Sequence, residues 1–168
     1  MPINQVLLER LNNQFDLERE NNAFYLAMHY ALQNINWEGS AKFMLKQASE
    51  EAEHASLFGH YIVDRGEAPT FASIDPVVPP SGDDLLPYFE AALAREQATT
   101  ESLKELYFLA EKMGDEQTCS FIECPSNGFV GFFAEQTKSE REIIDIMLML
   151  RRLDNNGRVF YDEQIGEL

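Results

Sequence analysis

Cysteine, positive charge and long apolar runs are all scarce in this chain, and each scarcity removes a class of protein. Cys119 and Cys124 are the two cysteines among 168 residues. Two are too few for a disulfide scaffold, and their spacing matches no zinc pattern, so they read as reduced thiols. No apolar run approaches the roughly 18 residues that a membrane-spanning helix needs. Thirteen Lys and Arg stand against 29 Asp and Glu, leaving a net charge of −16. Nucleic acid and anionic membranes repel such a surface, so neither is expected as a partner, whereas cations are attracted. The opening residues, Met1 to Gln5, lack a basic segment followed by an apolar one, so no secretory leader is expected. A cytoplasmic protein fits these absences, and so does a plastid protein stripped of a transit peptide. What is present is a hydrophobic content of 45%, enough for one domain with a sizeable core.

Glycine and proline are also confined, and they punctuate four long segments of helical periodicity. The pattern predicts an all-α chain with helices over about 4–34, 41–65, 83–113 and 129–153, and a short fifth over 158–165. Trp37 falls in the first turn, with Ser40 as the expected N-cap of the second helix. Asp83 is the expected first-turn acid of the third helix, and Asn155 to Gly157 is the expected end of the fourth. Pro69, Pro76, Pro79 and Pro80 keep the segment after Gly66 from being helical. A thirty-residue helix is about 45 Å long, so four of them make an elongated bundle. The proline-rich segment is long enough to run the length of that bundle. The expected architecture is therefore a four-helix bundle with a crossover between the second and third helices.

Polar residues then interrupt stripes that should be apolar. Glu51 and His54, one turn apart, sit within Met44, Ala48, Ala55, Phe58 and Ile62, and residues three apart on a helix face the same way. Glu18 interrupts Leu11, Phe15, Tyr25 and Leu32; Glu96 interrupts Phe89, Leu93, Leu103 and Leu106. On the fourth helix Gln136 lies in the stripe of Phe133, Glu140, Ile143, Met147 and Leu150. An unpaired carboxylate in a core costs several kcal/mol. Three carboxylates and an imidazole sharing one core are therefore read as metal ligands. Oxygen ligands suit Fe(II) and suit Fe(III) better, while imidazole suits iron and zinc alike. Two divalent ions would bring four positive charges to three negative ones. Glu18 before Glu51-x-x-His54 is echoed by Glu96 before Gln136-x-x-Ser139. His29 and His60 have no partners at ligand spacing.

A Glu from each of two helices with Glu-x-x-His from another is the pattern of dimetal carboxylate bundles. With Leu11 to Gln14, Tyr25 to Met28, Glu50 to His54, Arg95 to Gln97, and Glu135-Gln136, the chain resembles the ferritins over nearly its whole length. The resemblance implies a ferritin-like bundle and a homo-oligomeric shell of 24 subunits that oxidises Fe(II) and stores Fe(III) mineral. It implies Glu18, Glu51 and His54 around a first iron, with Glu51 bridging to a second beside Glu96 and Gln136. Tyr25 matches a tyrosine that neighbours such centres. Glu50, Glu53 and Glu135 resemble cavity-facing acids that bind further iron or nucleate mineral. The stretch Cys119 to Glu123 resembles the lining of a three-fold channel, with Glu123 as its acid.

Departures from the family pattern refine these expectations. Ser139 stands where bundles with a permanent di-iron cofactor carry a second His, and Gln136 is a weak neutral ligand, so iron is expected to pass through as substrate. Ala52 stands where bacterioferritins carry the methionine that ligates haem, so haem is not expected. Lys138 and Ser139 do not supply the acids of a third iron site, although Glu50 and Glu135 could form part of one. The segment Cys124 to Gly128 looks like an insertion beside the channel. Two other readings compete: a di-iron oxidase or peroxidase without mineral storage, and a non-catalytic structural shell subunit.

Overall fold

The computed structural model describes residues 3–124 and 130–168. Among them are six α-helices and no strand: α1 (Gln5–Asn34), α2 (Glu38–Asp64), α3 (Leu86–Met113), α4 (Glu116–Glu123), α5 (Phe132–Leu150) and α6 (Asn155–Ile165). Packing of α1 on α2, α3 on α5 and α1 on α3 builds a four-helix bundle, with α6 docked on α2. The Asn4 side chain caps α1 by accepting the Val6 N–H at 2.9 Å. Asn36, at φ 62°, reverses the chain between α1 and α2. This is the left-handed region, which asparagine enters more readily than most residues.

The helix ends differ from the sequence expectation in four places. Ser40 does not cap α2. The helix begins two residues earlier, and the buried Asp162 of α6 caps it from across the molecule. Asp162 accepts the Gly39 N–H at 2.8 Å, the Ser40 N–H at 2.7 Å and the Ser40 hydroxyl at 2.5 Å. A side chain on Gly39 would put its Cβ 1.6 Å from the Asp162 carbonyl oxygen, so only glycine allows this approach. Asp83 lies ahead of α3, not in its first turn; Asp84 accepts the Leu86 N–H at 3.1 Å instead.

Before the fourth long helix the chain forms the eight-residue α4. Gly114, in the left-handed conformation, ends α3, and Asp115 caps α4 while pairing with Arg65 at 2.7 Å. The expected start at Phe129, and all of the Cys124–Gly128 insertion but Cys124, lie outside the described residues. Asn155 to Gly157 begin α6 instead of ending α5, because the Asp154 side chain accepts the Gly157 N–H at 2.8 Å.

The crossover between α2 and α3 travels along the outside of the bundle as an irregular strap. Asn12 accepts the Thr70 N–H at 2.7 Å near one end, and the Trp37 indole donates to the Asp83 carbonyl at 2.9 Å near the other. Phe71 packs edge-on to Phe15, and the Arg19 guanidinium lies over the Phe71 ring. No helix among the described residues is long and apolar enough to cross a membrane.

The apolar interior divides into two clusters. One gathers Tyr25, Met28, Leu32, Met44, Phe89, Ile143 and Leu150 beside α6. The other gathers Leu7, Leu11, Phe15, Phe58, Leu103, Phe121 and Phe132 beside α4. On every long helix the boundary between them is polar: Gln14, Glu18 and Asn21 on α1, Glu51 and His54 on α2, Glu96 and Thr99 on α3, and Gln136 on α5. All eight are buried. A buried polar belt thus crosses the middle of the bundle.

Candidate metal centre

Helical spacing aims each member of the belt inward. Glu18, Glu51 and His54 each offer a ligand atom, and these atoms lie within 4.8 Å of one another. His54 Nδ1 is 3.5 Å from Glu51, and Nε2 is 2.8 Å from Glu135. The two ring nitrogens therefore face different carboxylates, one in the core and one at its edge. Gln14 donates to Glu18 at 2.7 Å, and Gln14 in turn accepts the Ser102 hydroxyl at 2.5 Å.

Glu96 forms the other side of the centre. It accepts the Tyr25 hydroxyl and, at 2.9 Å, the Gln136 amide. Gln136 also reaches the Glu96 carbonyl at 3.2 Å and Thr100 at 3.4 Å. Glu18, Glu51 and His54 thus cluster on one side, while Glu96, Tyr25 and Gln136 are engaged with one another on the other.

Burial and mutual repulsion make this centre reluctant to hold its negative charge. Burial, then the charge of Glu51, pushes Glu18 well above the usual carboxylate range. The same two causes push Glu96 up to about 7, against the hydrogen bonds from Tyr25 and Gln136. Burial opposes the charged form of His54, but hydrogen bonds to Glu135 and Glu51 outweigh it and hold the ring proton well above the ordinary histidine range. Burial, then Glu96, raises the Tyr25 phenol too. Clustered carboxylates that keep protons are poised to exchange them for cations.

Outside the belt, a cavity of about 360 Å³ is lined by Glu50, Glu53, His54, Glu135, Lys138 and Glu142, among others. Glu50 is half-buried and Glu53 exposed, and the Glu135 bond to His54 ties this cavity to the centre. Lys138 extends toward Glu142, 3.6 Å away. Glu123 is exposed at the end of α4, where it accepts the Tyr107 hydroxyl at 2.8 Å. His29 is satisfied locally by the Ala41 carbonyl at 2.8 Å, and His60 is exposed. In the α5 stripe it is Phe132 that is buried, 1% exposed, and not Phe133. Phe132 meets the His54 ring edge-on.

Gln14, Asn21 and Thr99 escaped the sequence reading. Their signal was available in spacing: Gln14 and Asn21 stand four before and three after Glu18, and Thr99 three after Glu96, each on the face of its acid. Neutral polar residues on a helix attract less notice than misplaced charges.

A long-crossover helical bundle with acids and a histidine buried at its middle has the architecture of the carboxylate-bundle proteins. Comparison with known proteins narrows this. Residues 8–153 match the ferritin-like domain, and the chain belongs to the ferritin family. A bacterial non-heme ferritin of Staphylococcus saprophyticus is 32% identical over 166 residues, covering 98% of this chain and 95% of that protein. Ferritin-1, chloroplastic, of Brassica napus is 29% identical over 92% of this chain and 61% of its own length. Among solved structures, the open pore ferritin of the archaeon Archaeoglobus fulgidus superposes with a TM-score of 0.87 at 26% identity, covering 98% of both chains.

Proposed function

We propose that this chain stores iron: it oxidises Fe(II) with O₂ at the centre formed by Glu18, Glu51, His54, Glu96 and Gln136, and holds the Fe(III) as mineral inside a hollow, 24-subunit shell of identical chains. The observation that carries the reading is the convergence of Glu18, Glu51 and His54 within 4.8 Å, buried between two apolar clusters. Glu18 and His54 hold the first iron, Glu51 bridges, and Glu96 holds the second with Gln136 beside it. Iron is substrate here. Each of two Fe(II) gives one electron to a shared O₂, which takes up two protons and leaves as hydrogen peroxide, and the higher charge of Fe(III) is matched by hard carboxylate oxygens.

The residues around the ligands prepare them. Gln14 orients Glu18, and Tyr25 with Gln136 orients Glu96. The apolar clusters keep bulk water from the reacting pair, which strengthens every charge interaction there. Gln136 offers one neutral oxygen, so the second iron is held weakly and moves on after oxidation. Glu50, Glu53 and Glu135 border the cavity next to His54 and give Fe(III) an acidic path away from the centre. Glu123, with the acid-rich surface around α4, is our candidate for the channel acid through which Fe(II) arrives. The reading places the protein in the cytoplasm, as a soluble shell.

The test compares Fe(II) oxidation under air by the wild type and Glu51→Ala, followed by electron microscopy of the products. Wild-type particles should oxidise Fe(II) rapidly and acquire dense cores. The variant should be slowed by at least tenfold. Equal rates would show that the carboxylate cluster is not where oxidation occurs.

A further inference from the structure

The belt contains one polar atom that the ligand set does not account for. Asn21 is wholly buried, and its Oδ1 is, among the described residues, the buried side-chain oxygen or nitrogen left with no hydrogen-bond partner. The other end of the same amide is crowded. Nδ2 lies 2.9 Å from the Thr99 hydroxyl and 3.4 Å from one oxygen each of Glu18 and Glu51. An amide with a buried, unsatisfied oxygen and an over-subscribed nitrogen is held in only one of its two useful orientations.

We propose that Asn21 is a further ligand of the metal centre, working as a two-position amide that turns its carbonyl oxygen onto the cation held by Glu18 and Glu51. This rests on the proposed function for the centre itself. The spacing supports it. Oxygens around a divalent ion at about 2.1 Å stand roughly 3 Å apart, close to the 3.4 Å that separates this end of the amide from both carboxylates. The chemistry sets the direction of the turn. The NH₂ end suits bare or proton-sharing carboxylates, and a cation between those carboxylates repels it while attracting the carbonyl.

Thr99 makes the exchange possible. Its hydroxyl now donates to the Arg95 carbonyl at 3.1 Å and receives the amide NH₂. By rotating it can donate to the amide oxygen instead, because a hydroxyl both gives and accepts. The added ligand is neutral, so it raises coordination number without adding to a centre already rich in negative charge.

The test uses Co(II) under anaerobic conditions as a spectroscopic probe of the assembled wild-type, Asn21→Leu and Asn21→Asp proteins. Leucine keeps the branched outline of asparagine, at a larger volume, but offers no oxygen; ionised aspartate offers oxygen but cannot donate. We expect Asn21→Leu to weaken Co(II) binding at least tenfold and to intensify the visible absorption, as a lower coordination number requires, and Asn21→Asp to restore binding. Wild-type affinity and spectrum in Asn21→Leu would overturn the proposal. So would an Asp variant no better than Leu, since that result makes the NH₂ donor the useful end. If Asn21→Leu does not assemble, Thr99→Val probes the same turn, and unchanged Co(II) binding there overturns the proposal. Glu51→Ala serves as a control: should it bind Co(II) as the wild type does, the centre itself has been misplaced, a failure separate from that of Asn21.

Discussion

Glu96 keeps its proton to about pH 7 because burial, and then the nearby charge of Glu51, penalise its ionised form. A protonated carboxyl is a poor ligand, so each bound cation must expel that proton. Divalent-ion affinity is therefore expected to rise as pH climbs through 7. The proton held by His54 adds to the slope in the same direction. The sign for stability is the reverse. An acid whose folded pKa lies above its unfolded value binds more protons when folded, so metal-free stability falls as pH rises from about 4.5 toward 7. Glu18, raised by the same causes, reinforces this. Anaerobic Co(II) titrations between pH 5.5 and 8, with urea unfolding of the metal-free protein at the same values, check both slopes. Parallel trends in the two quantities would contradict the assignment of protons to this cluster.

Among the elements, α6 has the largest structural duty for its size, because one of its side chains completes another helix. Asp162 satisfies backbone donors at the start of α2, where the N-cap residue Trp37 makes no side-chain capping bond. Replacing it with Ala leaves two buried N–H groups unpaired and removes a favourable charge at a helix N-terminus. The expected loss is about 1–3 kcal/mol, with earlier proteolysis at the C-terminal end. Co(II) stoichiometry should be unchanged, because no partner of Asp162 belongs to the metal centre. Equilibrium unfolding and limited digestion measure the first two effects, and metal titration the third.

The same contact marks where sequence reading fails. Asp162 lies 122 residues from Ser40, and periodicity carries no information across such a gap, so Ser40 has the local pattern of a cap although it is the residue being capped. The short α4 has too few turns to show a face. Gly131, at φ 100°, resets the chain just before α5, and the buried aromatic falls at Phe132, one residue ahead of the expected Phe133. By contrast, Glu18, Glu51, His54 and Glu96 stood out because charges cannot hide in a stripe of period 3.6. That periodicity also carried the bundle and its crossover, since prolines can lie between the long helices or in a first turn, as Pro87 does in α3, but not in a helix interior.

At the scale of the whole molecule, the polar belt divides one hydrophobic core into two, and under the proposed function this costly middle is what holds the cations. Glu51 is the focus of the strain: its charge raises both Glu18 and Glu96. Glu51→Gln keeps the shape and one acceptor oxygen while removing that charge. Without metal, the variant is expected to melt at a higher temperature than the wild type, as replacement of unfavourable buried charge often does. With Co(II), the order should reverse. A cation present at about 100 times its dissociation constant stabilises the state that binds it by roughly 2.7 kcal/mol, and the wild type binds it better. Calorimetry of both proteins with and without Co(II) reads the crossing directly. If Glu51→Gln proves the less stable protein under both conditions, Glu51 is a structural residue that happens to be acidic, and the belt does not exist for the sake of its ions.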